Sequence, residues 1–246
     1  MQGRLNKLGT RLMRPWRRWR RYRSTRKQWL AQGGYITHHD AIMKDSEKGA
    51  GVVAGAYFHQ DLLVAELIHE ARPERHIDVG SRIDGFVAHV AAFREIEVLD
   101  IRPLAPTNHP NIRFVQADVM EPVHVKQADS VSCLHAIEHF GMGRYGDDIR
   151  IDGHLQGIAS LIQLLSEGGT LYLSFPIGVR DEVHFNAQRV FHPDSVFAFD
   201  AVQRHLKLKR FDFVDDAGAL RRNARPEDAY GQIAGCGIYT FTRVAT

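Results

Sequence analysis

Between His76 and Phe175 short apolar runs closed by turn residues alternate with segments of helical periodicity, and this alternation limits the fold more than any other feature. Strand-like runs fall at residues 76–79, 96–101, 112–115, 130–134 and 170–175, with helices expected over 57–71, 85–93 and 155–165. Leu62, Leu63, Leu67 and Ile68 carry the first helix, which Pro73 stops, and Gly168-Gly169 suit the end of the third. Strands separated by helices of this length pair in parallel and need helices on both faces. Two later strand-like runs, 206–214 and 237–243, enclose a polar stretch without a strong helix, so an antiparallel terminal pair is expected. The fold class is therefore α/β: a doubly wound, mostly parallel seven-stranded sheet with an antiparallel C-terminal strand pair.

The 246 residues, 44% hydrophobic, suffice for one core and a short appendage, which excludes a wholly disordered chain. No run of about 18 apolar residues occurs, so no membrane-spanning helix is expected. Cys133 and Cys236 are too few for a disulfide scaffold, and a reducing compartment is the default.

Charge divides the chain. Eleven of the 32 Lys and Arg lie between Arg4 and Lys27, where no acid occurs, so all 29 Asp and Glu belong to the remainder. Residues 1–30 read as a basic arm, 31–56 as a Gly-rich linker or lid, and 57–246 as the folded domain. Within the arm Leu5, Leu8, Leu12, Trp16 and Trp19 form one helical stripe, which Pro15 should kink or split. Trp on an apolar stripe with Arg around it suits an anionic bilayer surface, and peripheral attachment to a cytoplasmic membrane face is the leading reading. A transit peptide, a nucleic-acid-binding arm and a solvated tail are the alternatives, with nucleic acid the less expected partner.

In sheets of this kind ligands bind beyond the carboxyl ends of the strands, where strand order reverses. Asp78-Val79-Gly80-Ser81 follows the first strand, placing a carboxylate beside a tight turn that a ligand can approach closely. Asp100 ends the second strand twenty-two residues on, near the spacing at which an acid meets ribose hydroxyls. Asp118, after the third, can accept from an adenine amino group. A dinucleotide would want G-x-G-x-x-G, but Arg82 stands at the second glycine of Gly80-Ser81-Arg82-Ile83-Asp84-Gly85. S-adenosylmethionine carries no phosphate and is the favoured cofactor, with Val79, Ile101 and Val119 completing the expected cofactor-binding set.

These residues resemble class I S-adenosylmethionine-dependent methyltransferases, with Asp78-Val79-Gly80 as the first motif and Asp100 as the second-strand acid. More narrowly the chain is similar to a methyltransferase-like family of unknown function. Tyr57-Phe-His-Gln-Asp61, Asp78 to Gly85, the segment from Leu134 to Asp147 (LHAIEHFGMGRYGD) and Phe185-Asn-Ala-Gln-Arg189 carry that similarity. Arg82 departs from the superfamily's glycine and is available to pair with the cofactor's carboxylate.

His135-Ala-Ile-Glu138-His139 fits the H-x-x-E-H letters of a zinc site, but a strand precedes it and Gly141 and Gly143 follow, so no long helix presents both histidines. Quinone-biosynthesis O-methyltransferases hold a divalent ion here with two acids and a histidine; His135 replaces the first acid, and no metal is expected. His135 and His139 are the candidate bases and Glu138 the residue that orients them, against a reading as cap and filler. Tyr145, Asp147, Asn186 and Arg189 are the candidate acceptor-binding residues. The resemblance implies O-methylation of a saccharide, glycolipid or similar small acceptor. A non-catalytic scaffold of a glycan-assembly system and a nucleotide-sugar or NAD enzyme are the alternatives.

Overall fold

The computed structural model describes residues 14–245. They form two compact units, divided between Val52 and Val53.

In the first unit, helix α1 (Arg14–Ala31) carries eight Lys and Arg and no acid. Pro15 is the second described residue of this helix. Leu5, Leu8 and Leu12 of the expected stripe lie outside the described residues. Trp16, Trp19 and Trp29 are exposed, and the guanidinium groups of Arg20 and Arg23 lie 5.5 and 6.0 Å from the Trp16 and Trp19 ring centroids. Arg18 donates to both carboxylate oxygens of Glu47, at 2.9 and 2.5 Å, in the short turn Asp45–Glu47. Among the described residues no helix is long and apolar enough to cross a membrane.

The second unit opens with α2 (Ala56–Ala71) and then builds β1 (His76–Val79), a π-helical turn (Ile83–Val87) running into α3 (Ala88–Ala91), β2 (Ile96–Asp100), β3 (Ile112–Gln116) and β4 (Ala128–Leu134). Helix α4 (Gly153–Leu164), β5 (Leu165–Ile177) and the hairpin β6 (Glu182–His184) and β7 (Gln188–Val190) follow. The chain ends with α5 (Asp200–His205), β8 (Leu206–Val214), β9 (Leu220–Ala224) and β10 (Gly235–Arg243). The main sheet has the order β3-β2-β1-β4-β5-β10-β8-β9. Strands β1 to β5 pair in parallel, while β10 inserts antiparallel between β5 and β8. Strand order reverses between β1 and β4, so the carboxyl ends of these two strands face the ligand crevice.

Two differences from the sequence expectation have clear causes. Strand β9 extends the expected seven strands at the β8 edge; its residues are mostly exposed, so it shows no apolar alternation, and backbone pairing with β8 alone defines it. Gly168-Gly169 lie inside β5 and do not cap α4. Between the pairs Ala128–Leu165 and Ser130–Thr170 the β5 strand carries extra residues, and Gly168 at φ 75° turns the chain there.

Core side chains separate onto the two faces. Ile77, Val79, Leu99 and Val131 pack with Ile158 and Leu161 of α4, whereas Ile96 and Val98 pack with Leu63, Val64 and Ile68 of α2. The strict two-residue period of β1 therefore sends His76 and Asp78 to the α2 side, away from Ile77 and Val79.

Candidate functional site

A cavity opens at the carboxyl ends of β1, β2, β3 and β4. Its walls include Val79, Gly80, Asp100, Ile101, Asp118, Val119, His135, His139, Tyr145 and Asp147. The space between the walls is about 500 Å³ with its open mouth, and the enclosed interior about 50 Å³. Gly80, at φ 73°, bends the chain after β1; a Cβ there would sit 2.8 Å from that of Ala136. Only glycine keeps this floor in place.

Asp100 is at the wall, its side chain 10% exposed. Its carboxylate accepts from the Arg102 backbone N–H at 2.8 Å and from the Arg102 guanidinium at 2.9 and 2.5 Å. The same guanidinium lies 4.6 Å from the Tyr145 ring centroid, and that of Arg144 lies 5.1 Å from it. Arg102 thus reaches from the β2 end to the loop after β4 and narrows the cavity. It stands within the inspected segment 100–102, but a contact with Tyr145 forty-three residues away leaves no local signal. Asp118 uses one carboxylate oxygen to cap the Met120 N–H at 2.9 Å.

Asp78 departs from expectation. It is fully buried, and its carboxylate accepts from the Ser81 hydroxyl at 2.7 Å, the Ser81 N–H at 3.1 Å and the Ser132 hydroxyl at 2.6 Å. It secures the turn from beneath and does not line the cavity, because β1's period points it the other way. Burial pushes its pKa up to about 6, against the pull of those hydrogen bonds. Ser81 is likewise turned inward, toward Asp78 and the Leu134 N–H. Arg82 pairs with Asp84 at 3.1 and 3.0 Å and lies over the Tyr57 ring, so it too is outside the cavity wall.

The segment after β4 forms a single turn, Ile137–His139, so the two histidines share no helix face. Glu138 is 0% exposed. Its Oε1 accepts from His135 Nδ1 at 3.0 Å and lies 3.7 Å from His139 Nε2, while Oε2 is buried without a partner. Burial lowers the pKa of His139, leaving it a neutral imidazole at the cavity wall. His135 adopts φ 49°, stacks against Tyr57 at 5.0 Å, and has its Nε2 3.2 Å from Cys236 Sγ. Burial works against charging His135, but Cys236 and Glu138 outweigh it and raise its pKa well above the usual value. His135 spends both ring nitrogens on Glu138 and Cys236, while His139 stands at the cavity wall with its Nδ1 3.4 Å from an Arg144 guanidinium nitrogen.

Of the expected acceptor-binding residues, Tyr145 and Asp147 reach the cavity, although the Asp147 carboxylate accepts from the Gly143 and Tyr145 N–H groups, both at 3.1 Å. Asn186 is exposed at the turn of the β6–β7 hairpin, outside the wall. Arg189 is buried and donates to the carbonyls of Phe140 at 2.7 Å, Ile151 at 3.3 Å and Glu138 at 3.4 Å. It braces the loop after β4, because a buried guanidinium must spend its donors on the acceptors nearest it. Gln60 and Asp61 of α2 were not expected at this edge. Ser174 donates to Gln60 Oε1 at 2.7 Å, Gln60 donates to Asp61 at 3.1 Å, and Asp61 packs where a Cβ on Gly85 would stand.

This sheet order, with an antiparallel strand inserted before the last edge and a crevice at the β1/β4 reversal, is the fold of the class I S-adenosylmethionine-dependent methyltransferases. A family described as Caenorhabditis protein of unknown function, DUF268, matches residues 112–222. Among solved structures, the amino pentose methyltransferase CalS10 of Micromonospora echinaspora, with S-adenosylmethionine bound, superimposes at a TM-score of 0.51 with 16% identity, over 85% of this chain and 100% of that one. The glycopeptide N-methyltransferase MtfA gives 0.53 and 14%, over 76% and 99%. The cyclase SpnF gives 0.54 and 13%, over 90% and 93%. No curated protein matches the sequence.

Proposed function

We propose that residues 57–246 form an S-adenosylmethionine-dependent methyltransferase acting at a hydroxyl of a saccharide, glycolipid or similar small acceptor. The observation that carries this reading is one cavity at the strand reversal, with Gly80, Asp100 and Asp118 on one side and His139 on the other. The walls suit a nucleoside without phosphate: a glycine floor that no side chain obstructs and an acid for ribose hydroxyls. Val79, Ile101 and Val119 complete the apolar wall.

When bound, S-adenosylmethionine supplies a methyl group already activated on sulfur, so little covalent help is needed. His139 takes the proton of an acceptor hydroxyl, and Glu138 orients the imidazole and steadies its charge. Tyr145 presents its ring at the mouth. CalS10 and MtfA, with an amino pentose and a glycopeptide in their names, favour a glycan-type acceptor by analogy of fold. SpnF favours the second reading, a domain that retains the fold for other work.

Calorimetric titration tests the reading. Asp100→Ala should weaken S-adenosylmethionine binding about ten- to a hundredfold, roughly 1.5 to 3 kcal/mol for the lost charged hydrogen bonds. Arg102→Ala should bind at least as tightly as wild type, since it removes the group that competes for Asp100. Binding of NAD in place of the methyl donor rejects the reading, and donor binding without methyl transfer to any extract supports the scaffold.

Residues 1–30 are the arm in this reading, joined by 31–56, and hold the domain at an anionic membrane surface from the cytoplasmic side. Full-length protein should co-sediment with vesicles containing anionic lipid and be released by salt, while a chain lacking residues 1–30 stays in solution. Equal sedimentation of the two rejects lipid contact.

A further inference from the structure

We propose that Cys236 is a base-activated thiol, a site of covalent modification by small hydroperoxides that enter through the cavity. Three side chains from separate parts of the chain stand in line. Cys236 of β10 has its Sγ 3.2 Å from His135 Nε2, and His135 Nδ1 lies 3.0 Å from Glu138 Oε1. The carboxylate accepts from Nδ1–H and steadies the imidazolium that forms when Nε2 takes the thiol proton. This is the order of groups that activates a nucleophilic cysteine. Cys236 is buried in the apolar core, whereas Glu138 is fully buried with Oε2 unpartnered and His135 holds a left-handed backbone conformation uncommon outside glycine. His135 forms part of the cavity wall, so the cavity ends one imidazole away from the sulfur.

The surroundings close the cluster. Gln60 Oε1 lies 3.6 Å from Sγ, Tyr57 stacks on the imidazole, and Ser174 Oγ accepts from the His135 backbone N–H at 3.2 Å. Asp61 from α2 and His139 from the same loop are the other titratable groups whose charge His135 feels. Cys133 is the built-in control. It is as buried as Cys236, has no imidazole against it, and its thiol is pushed well above the usual range by burial and by Asp78 and Glu138.

In the reaction His135 takes the thiol proton and the sulfur attacks one peroxide oxygen. The S–O bond forms as the O–O bond breaks, the sulfur is oxidised to sulfenic acid, and the leaving oxygen takes the proton from His135 and departs as water from hydrogen peroxide or as the alcohol from an organic hydroperoxide. A free cysteine is only a few per cent thiolate near pH 7, so base activation is worth up to roughly 30-fold in rate.

The test treats full-length protein with hydrogen peroxide at pH 7, traps sulfenic acid with dimedone and quantifies each cysteine by mass spectrometry. Cys236 should be labelled at least about tenfold faster than Cys133. His135→Asn suits the left-handed backbone and removes the base, and it should bring Cys236 down to the rate of Cys133; Glu138→Gln should fall between. Equal labelling of both cysteines in the folded wild type, or an unchanged Cys236 rate in His135→Asn, overturns the proposal.

Discussion

Gly141→Ala should destabilise the domain by about 3 to 5 kcal/mol, whereas Gly146→Ala, five residues on in the same loop, should cost only about 1 to 2. Both glycines have positive φ, 75° and 91°, so both variants carry the strain of an L side chain in the left-handed region. They differ in surroundings. A methyl on Gly141 would land on the carbonyl oxygen of Arg150, 3.0 Å from its carbon and 3.1 Å from the Gly153 Cα, whereas nothing lies within 4 Å of one on Gly146. The obstacle is backbone that cannot step aside: Arg150 N–H donates to the Gly141 carbonyl at 2.9 Å, and Gly153 begins α4. A loss of this size is a large share of a typical domain's total stability of about 5 to 15 kcal/mol. Urea unfolding of the two variants checks it. Equal losses would show that the loop moves aside and that the close approach of Gly141 to Gly153 is not a structural requirement.

The same loop shows what sequence reasoning can reach. Its glycines and His135, Glu138 and His139 are legible as one polar turn after a strand, because strand, turn and glycine are local signals. That Gly141 exists to let the chain pass Arg150 is a contact across nine residues and has no local sign. Asp100 is legible because the end of a strand and its spacing from Asp78 are both linear properties. Asp78 misled because its partner Ser132 lies fifty-four positions away on a neighbouring strand, and that partner turns an apparent ligand-facing acid into the anchor of the turn. Cys236, one hundred and one residues from His135, is invisible to any motif. Arg189, expected on the acceptor, is captured by carbonyls of the loop because the β6–β7 hairpin folds back beneath it. The parallel core was therefore readable from periodicity, and the edge that carries the chemistry only in part, since side chains there are paired by topology.

Between pH 4 and 3 the domain should lose about 1.4 kcal/mol of stability through His76, and His76→Gln should remove that loss. His76 is fully buried and lies in a chain of hydrogen bonds: Nδ1 is 2.7 Å from the Ser130 hydroxyl, Nε2 is 3.1 Å from that of Ser132, and Ser132 donates to Asp78. Burial, aided by the Arg94 charge, lowers its pKa to about 3, so its stabilising share is complete above pH 6.5 and is lost as pH falls toward 3. Over that whole span the loss is about 5 kcal/mol. Asp78 works in the opposite sense. With its folded pKa raised to about 6, its share is complete below the unfolded value of 3.8 and is lost as pH rises through 6, about 3 kcal/mol in all. From pH 6 down to 4 the two slopes, each about 1.4 kcal/mol per pH unit, nearly cancel; below 4 only the histidine still titrates. Glutamine keeps a donor and an acceptor for the two serines and has no proton to gain. Urea titrations between pH 3 and 7 should give a flat wild-type profile that breaks near pH 4, against a His76→Gln profile that rises by up to about 3 kcal/mol from pH 6 to 4 and then levels. Superimposable profiles would mean that other groups govern acid unfolding and that the His76–Ser132–Asp78 chain does not couple protons to the fold.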